Sequence, residues 1–318
     1  MNVFILLAIH QTKNFIMRSI ACSLIVCMFA LMACNSSSSS ASTTDSTSSS
    51  TTDSSASTGS TAGFKLGVQM WTFRMFTFTE ALDKVDSAGI KNIEAFWGQK
   101  LGGSLPGAFG AEMTAETRTK LKKVLQDKGI QIVAMGVLVP NNKAEWIKAF
   151  DLAKEFGLSY ITAEPIKTQW DMVDSLAGAY GIKVAIHDHP NDPKNHHMHP
   201  YGDPDSVLEA AKGHPNIGAC ADVGHWSRNG VNAVDALKKL EGHVFGVHLK
   251  DIVKFGDAYA ADTVVSKGVI DFPAIFAELK RQNFSGMMSI EHESNWYHSL
   301  PDVIATKNYY DDQVAKLK

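Results

Sequence analysis

The 318-residue sequence has few cysteines, no excess of basic charge and no acidic residue among its first 33 positions. Of its four cysteines, Cys22, Cys27 and Cys34 lie near the N-terminus and only Cys220 lies beyond them. This distribution excludes an intramolecular disulfide and a Cys-x-x-Cys metal site in the rest of the chain. A formal charge of −3 with 20% charged residues fits neither a disordered acidic chain nor a strongly basic nucleic-acid binder.

The N-terminal segment without acidic residues resembles an export signal. Arg18 precedes an apolar run at 19–30, which has the length of a signal peptide and is short for a membrane span. The run ends in Leu31-Met32-Ala33-Cys34, which resembles the bacterial lipobox, where the cysteine is lipidated and becomes the new N-terminus. We therefore expect a lipoprotein signal peptide at 1–33. An ordinary signal peptide with an incidental cysteine is the alternative.

Residues 34–62 are predicted to be a lipidated cysteine and a flexible linker, because 21 of the 28 residues at 35–62 are Ser or Thr. Loss of residues 1–33 leaves 28 basic against 33 acidic residues, a formal charge of −5, which argues against nucleic acid as a partner. We expect a lipid anchor in the bacterial cell envelope, with the protein facing the periplasm. Asn35 directly after Cys34 favours the outer membrane.

The remaining residues, 63–318, are predicted to form one domain in which strands and helices alternate. Short apolar runs rich in β-branched residues predict strands at 65–73, 91–96, 131–139, 160–163, 183–186, 217–221, 244–247 and 286–290. Segments with helical periodicity lie at 79–88, 114–128, 143–156, 205–212, 232–240, 272–282 and 302–317. Eight alternating units in about 255 residues predict an α/β fold, a (β/α)8 TIM barrel. An open doubly wound sheet is the alternative, but no Gly-rich phosphate loop follows the first strand.

Side chains that can bind a metal follow five of the predicted strands. They are Glu164 after the fourth, His187 and His189 after the fifth, Asp222 and His225 after the sixth, His248 after the seventh and Glu291 after the eighth. The C-terminal ends of barrel strands converge on one mouth, so we expect these side chains to meet. Buried carboxylates and imidazoles at one mouth are costly without a cation. The sequence therefore predicts one divalent metal ion, and the mixed ligands suit Mn²⁺, Zn²⁺, Co²⁺ or Fe²⁺.

The motifs VQMWTFR, ITAEP, VAIHDHP, ACADVGHW, GVHLKD, SKGVIDF and SIEHE resemble those of the xylose isomerase-like, or sugar phosphate isomerase/epimerase, TIM barrels. The resemblance covers nearly all of residues 66–318. That superfamily includes tagatose epimerases, hydroxypyruvate isomerases, inosose dehydratase and type IV apurinic endonucleases. The resemblance implies Asp222, His248 and Glu291 as metal ligands. The chain departs from the pattern at strand five, where His187 replaces a Glu and is the expected ligand. Glu164 is a candidate replacement, either as a further ligand or as an unligated base.

The resemblance implies a sugar isomerase or epimerase that removes a proton next to a carbonyl with the help of the metal. Glu164 or Glu291 is the predicted base, while Lys250 and His225 bind substrate oxygens or act as the second acid. The predicted envelope location favours a non-phosphorylated substrate. Epimerases of the superfamily use two metal-bound Glu residues, and one is missing here. A lyase or hydrolase acting by β-elimination on a 3-keto-glycoside is therefore an alternative. A non-catalytic carbohydrate-binding lipoprotein and a nuclease are further, less favoured alternatives.

Residues near the same strand ends are predicted to bind the sugar through aromatic faces and polar groups. They are Gln69, Trp71, Arg74, Glu94, Trp97, His189 and Trp226. The segment 191–202, with His196, His197 and His199, is expected to be a solvated loop, and a lid is the alternative. Ser266-Lys267-Gly268 stands where relatives often carry Gly-x-Gly, and we expect this difference to alter the loop.

Overall fold

The computed structural model describes residues 63–317, and the predicted signal peptide, Cys34 and the linker lie outside them. Eight parallel strands form a closed barrel, in which each strand pairs with the next and the first pairs with the last. The TIM-barrel prediction is therefore confirmed. The strands are β1 (Lys65–Gln69), β2 (Asn92–Phe96), β3 (Gln131–Leu138), β4 (Tyr160–Ala163), β5 (Lys183–His187), β6 (Ile217–Asp222), β7 (Val244–Leu249) and β8 (Met287–Ile290).

Helices surround the barrel, most of them close to their predicted positions. They are α1 (Phe78–Ser87), α2 (Ala115–Lys128), α3 (Lys143–Phe156), α4 (Trp170–Tyr180), α5 (Pro204–Ala211), α6 (Val223–Arg228), α7 (Ala233–Lys239), α8 (Phe272–Arg281) and α9 (Leu300–Lys316). Between residues 63 and 317, no helix is both long and apolar enough to cross a membrane.

Helices α4 and α6 were not predicted, and the prediction of the first strand was too long. Helix α4 begins without a side-chain cap, so it lacks the usual N-terminal sequence signal. Helix α6 has only six residues and starts directly after β6, with Asp222 itself as its N-cap. Strand β1 ends at Gln69 because its side chain accepts a hydrogen bond from the Trp71 backbone N–H and starts a 3-10 turn at Met70–Phe73.

The closed N-terminal end of the barrel interior is filled by Tyr160 and Met287, which pack against glycines on other strands. A Cβ atom at Gly67 would lie 2.4 Å from Sδ of Met287, and one at Gly246 would lie 2.6 Å from the Tyr160 hydroxyl oxygen. Larger residues at these two positions would therefore displace the packing. With this end packed, polar side chains inside the barrel lie towards the C-terminal mouth, where the barrel fold places its binding sites.

Candidate metal centre

Four buried side chains from β5, β6, β7 and the end of β8 converge at the mouth: His187, Asp222, His248 and Glu291. Nε2 of His187 lies 3.2 Å from Nδ1 of His248, 3.7 Å from Oδ2 of Asp222 and 3.8 Å from Oε2 of Glu291. Nδ1 of His248 lies 3.6 Å and 2.9 Å from the same two oxygens. Ligand atoms around a tetrahedral ion at 2.0–2.2 Å are about 3.3–3.6 Å apart. These distances are compatible with one divalent ion. His225, whose Nε2 lies 3.6 Å from Oδ2 of Asp222, also groups with His187, Asp222 and Glu291 as a possible ligand.

Asp222 uses its two carboxylate oxygens for different purposes. Oδ1 accepts the backbone N–H groups of Gly224 and His225, both at 2.9 Å, and so caps helix α6. Oδ2 is buried and accepts no hydrogen bond from the described residues, although the Lys250 ammonium lies 3.1 Å away. Oδ2 is therefore the oxygen of Asp222 that is not used by the helix cap and could bind a metal, and the Lys250 ammonium already offsets part of its desolvation.

The Lys250 ammonium neutralises part of the negative charge of the centre. Nζ lies 3.1 Å from Oδ2 of Asp222, 3.1 Å from Oε2 of Glu291 and 3.0 Å from Oε2 of Glu293. Burial lowers the pKa of Lys250, but these three carboxylates outweigh burial and raise it well above its usual value. Likewise, burial raises the pKa of Glu291, but the charges of Lys250 and His248 outweigh it and hold the pKa well below the usual range. With His187 and His248 neutral, the state in which imidazole binds a metal, three carboxylates and one ammonium leave two negative charges, which one divalent ion would balance.

The orientation of the His248 ring is set from inside the barrel. Nε2 of His248 lies 2.9 Å from Oε2 of Glu94, which leaves Nδ1 to face Asp222 and Glu291. Glu94 has no exposed surface, so it contacts the predicted ligand rather than the sugar, and its prediction as a substrate-binding residue is corrected. Cys220 lies close to Glu94 and His248, but burial raises the pKa of its thiol to about 12. The thiol is therefore protonated at neutral pH.

His225 lies between two cationic donors. Arg228 donates from an NH1 group to Nδ1 of His225 at 3.0 Å, and Nζ of Lys250 lies 3.0 Å from Nε2. Arg and Lys side chains carry no acceptor when charged. If both ring nitrogens of His225 carried a proton, each N–H group would face another hydrogen-bond donor. Burial lowers the pKa of His225 well below its usual value, and the nearby Lys250 charge adds to the shift. His225 is thus neutral at the mouth.

Glu164 contacts two histidines rather than the four-atom centre. Its Oε1 lies 2.7 Å from Nδ1 of His189, and its Oε2 lies 3.2 Å from Nε2 of His199. The Tyr201 backbone N–H donates to Nδ1 of His199, so Nε2 of that ring carries the proton and donates to Glu164. Burial raises the pKa of Glu164, but the two histidine hydrogen bonds outweigh burial and lower it. Both carboxylate oxygens are therefore engaged, and the structure does not bring Glu164 into the predicted ligand set.

His199 is one residue that the sequence analysis missed. The segment 191–202 is mostly exposed, as expected, but His199 turns inward to Glu164. The Asn191 side chain holds this turn, since its Oδ1 accepts the His199 backbone N–H at 2.8 Å. No local sequence pattern marks one of three histidines in a loop as the inward one.

A pocket of about 250 Å³ opens beside the centre, lined by Gln69, Trp71, Phe96, Gly136, Val137, His187, His189, His225, Glu291 and Glu293. The predicted sugar-binding residues Gln69, Trp71 and His189 thus face it. Glu293, the second residue missed, accepts a hydrogen bond from the Trp71 indole N–H at 2.8 Å as well as contacting Lys250. In the sequence, the position of Glu293 two residues after Glu291 was the signal that could have identified it.

Three other predicted sugar-binding residues lie outside this pocket. Trp226 is fully buried in the hydrophobic core, because the unpredicted helix α6 turns it away from the mouth, so its prediction as a substrate-binding residue is corrected. The Arg74 guanidinium lies 4.3 Å from the centre of a Trp71 ring and 3.4 Å from that of a Trp296 ring. Trp97 lines a neighbouring groove instead.

Asp251 organises the loop that follows β7 and contains Ser266. Asp251 accepts the backbone N–H groups of Ile252, Ser266, Gly268 and Ile270. Ser266 has a φ of +84°, in the left-handed region that favours glycine. The backbone thus adopts a glycine-like conformation at this position.

A model of the family described as xylose isomerase-like TIM barrel matches residues 82–316. The chain belongs to this family. Among curated xylose isomerase-like relatives, an inosose isomerase of Halalkalibacterium halodurans is 26% identical over 228 residues, which cover 62% of this chain and 79% of that protein.

Solved structures show the same xylose isomerase-like fold. An uncharacterized protein from Parabacteroides distasonis is 32% identical, with a TM-score of 0.62, and the match covers 79% of this chain and 99% of that one. The IOLI protein, solved with a zinc atom, is 19% identical with a TM-score of 0.62 and coverages of 79% and 98%. At 19% identity this likeness shows the fold alone.

Proposed function

We propose that this chain is a divalent-metal-dependent enzyme that removes a proton next to the carbonyl group of a non-phosphorylated sugar or sugar derivative, as isomerases and epimerases do. The observation that carries the proposal is the set of four ligand atoms from His187, Asp222, His248 and Glu291, spaced for one ion at the edge of a sugar-sized pocket. The relative named inosose isomerase and the zinc in the IOLI structure support it.

In this proposal Glu291 accepts the proton. When bound, a divalent ion polarises the substrate carbonyl and offsets the negative charge that develops on its oxygen. Lys250 holds Glu291 ionised at neutral pH, which is the state that can accept a proton. Lys250 is buried and contacts Nε2 of His225, and neutral His225 lines the pocket, where it is placed to contact substrate oxygens.

His189 is the second candidate for proton transfer on the pocket wall. Glu164 contacts Nδ1 of His189 at 2.7 Å and so fixes the orientation of the ring, as carboxylates do for catalytic histidines. We therefore assign Glu164 the role of positioning His189. The pair lies on the wall formed by the residues that follow β4 and β5. His187, which replaces the Glu of the superfamily pattern, ends β5 beside this pair.

A second candidate function is β-elimination on a 3-keto-glycoside, which a single carboxylate can perform. Glu291 would take the proton from the carbon beside the carbonyl, the electron pair would form a carbon–carbon double bond, and the bond to the leaving oxygen would break. The protonated Glu291 would then return its proton to that oxygen. The engagement of Glu164 by two histidines favours this candidate, because it leaves the ligand set without a second glutamate.

We also propose that the protein is a lipoprotein anchored through Cys34 in the bacterial cell envelope and facing the periplasm. The lipobox-like Leu31-Met32-Ala33-Cys34 and the Ser/Thr-rich linker support this proposal. Metabolic labelling with a fatty acid tests it: the full chain should incorporate the label and Cys34→Ser should not. Labelling of Cys34→Ser at the wild-type level would contradict it.

The proposed chemistry is tested by Glu291→Gln together with metal analysis. Gln has nearly the same shape but cannot accept the proton, so turnover of a keto-sugar should fall at least about a hundredfold while the fold is retained. Glu278→Gln, at a buried glutamate of helix α8, is the matched control. The wild-type chain should hold about one divalent ion. Full activity in Glu291→Gln would contradict the proposal, no ion would indicate a binding module, and three ions would indicate a nuclease.

A further inference from the structure

A second cavity, of about 750 Å³, lies next to the pocket at the metal centre and is three times as large. It runs outward between the loops that follow β2 and β3. Its lining comes from Trp97, Gly98, residues 106–114, Thr117, residues 137–140, and Glu145, Lys148 and Ala149. We call this cavity the β2–β3 groove.

The β2–β3 groove adjoins the pocket at the metal centre. Val137 lines both cavities, and the consecutive residues Phe96 and Trp97 line one each. Phe96 also contacts Trp71 edge-on, with ring centroids 4.7 Å apart. A substituent on a sugar bound at the centre would therefore enter the groove on passing Phe96 and Val137.

The walls of the groove are mainly apolar. Trp97, Phe109, Met113 and Pro140 contribute apolar surface, and Val139 is 59% exposed there. Ligand sites commonly combine apolar walls with a few polar groups that fix orientation. In this chain the polar groups lie at the metal centre and the apolar walls lie in the groove.

The polar side chains of the groove are already engaged by the protein. Oγ1 of Thr114 accepts the Thr117 backbone N–H at 3.1 Å as the cap of helix α2. The Glu145 carboxylate accepts hydrogen bonds from the side chains of Asn141 and Asn142. Lys148 and Glu112 form an ion pair with each other at 3.1 Å. Because these polar side chains already have partners and the walls are mainly apolar, the groove suits an apolar group better than a longer saccharide.

We propose that the β2–β3 groove binds the apolar aglycone, of aromatic size, of a glycoside whose sugar ring lies at the metal centre. This inference rests on the proposed function for the position of the sugar. Transfer of one aromatic ring from water to an apolar wall should tighten binding by about tenfold or more.

The test compares phenyl β-D-glucopyranoside with methyl β-D-glucopyranoside on the full-length chain, by calorimetric titration and by saturation-transfer NMR. The phenyl glycoside should bind about tenfold more tightly, with the strongest saturation on the phenyl protons. Val139→Asp should remove this preference, because it places a charge on the apolar wall. The control Val269→Asp, at a valine 49% exposed outside the groove, should keep it. Equal affinity for the two glycosides, or an unchanged preference in Val139→Asp, would overturn the inference.

Aglycone binding in the groove and the proposed chemistry are tested separately, because binding of the phenyl group requires no turnover. A protein that prefers the phenyl glycoside but exchanges no proton on any keto-sugar would retain the groove assignment and lose the proposed chemistry. A protein that exchanges the proton without any aglycone preference would retain the chemistry and overturn the groove assignment. Thermal unfolding of Val139→Asp checks that the variant is folded, as the exposure of this residue leads us to expect.

Discussion

Nε2 of His248 lies 2.9 Å from Oε2 of Glu94 in the middle of the barrel, where neither side chain is exposed. This contact determines which ring nitrogen faces the metal centre. A carboxylate behind a metal-binding histidine fixes its tautomer and orientation, and loss of such a partner typically lowers metal affinity by about 10–100-fold.

Glu94→Leu is therefore expected to weaken the binding of Mn²⁺ or Zn²⁺ by about 10–100-fold, because His248 loses the acceptor that holds its ring. Glu94→Gln is the matched control, since its amide oxygen still accepts from Nε2 and should lower affinity less. Calorimetric titration of metal-free protein measures both variants. Wild-type affinity in Glu94→Leu would contradict the proposed orientation of His248.

Lys250→Met is expected to destabilise the metal-free protein and to increase its stabilisation by metal. Without the ammonium, Asp222, Glu291 and Glu293 lose their counter-charge, and breaking a buried ion pair costs about 3–5 kcal/mol. Thermal unfolding with a chelator and with Mn²⁺ should show a larger metal-induced rise in Tm than in the wild type.

Lys254→Met serves as the control for Lys250→Met. Its side chain is 71% exposed and pairs with Asp257 rather than with the centre, so its metal-induced rise in Tm should match the wild type. An equal or smaller rise in Lys250→Met would count against a metal beside this ammonium.

Ser266→Gly is expected to raise the free energy of unfolding by up to about 1 kcal/mol. The φ of +84° at this position is unfavourable for a residue with a Cβ atom, and glycine relieves that cost while adding some freedom to the unfolded chain. Ser266→Ala keeps the strain and should change stability little. Urea unfolding compares the three proteins, and a Ser266→Gly variant less stable than the wild type would refute the prediction.

The sequence predicts the barrel and the convergence of the ligands because both depend on short-range pattern. Eight strand–helix alternations determine the topology, and a residue that directly follows a barrel strand lies at the C-terminal mouth. His187, Asp222, His248 and Glu291 illustrate this point, since each ends or directly follows a strand and the structure brings their atoms within 3.8 Å of a neighbour in the set.

The surroundings of Glu94, Trp226 and Glu164 have physical causes that strand periodicity cannot reveal. Alternation places Glu94 inside the barrel, but its depth depends on the stagger between strands, which puts it behind His248. Trp226 faces the core because Asp222 starts a helix without any intervening loop. Glu164 pairs with His199, a residue 35 positions later in a loop whose inward turn depends on Asn191.

Solvent proton exchange is the most direct test of metal-dependent proton removal by Glu291. The full-length chain is loaded with one divalent ion and incubated in D₂O with a panel of free sugars and 3-keto-glycosides, and the products are followed by NMR. We expect incorporation of deuterium at a single carbon next to the carbonyl, with or without elimination, and loss of this exchange in Glu291→Gln or with a chelator. Absence of exchange on every substrate, or exchange that survives in Glu291→Gln, would contradict this expectation.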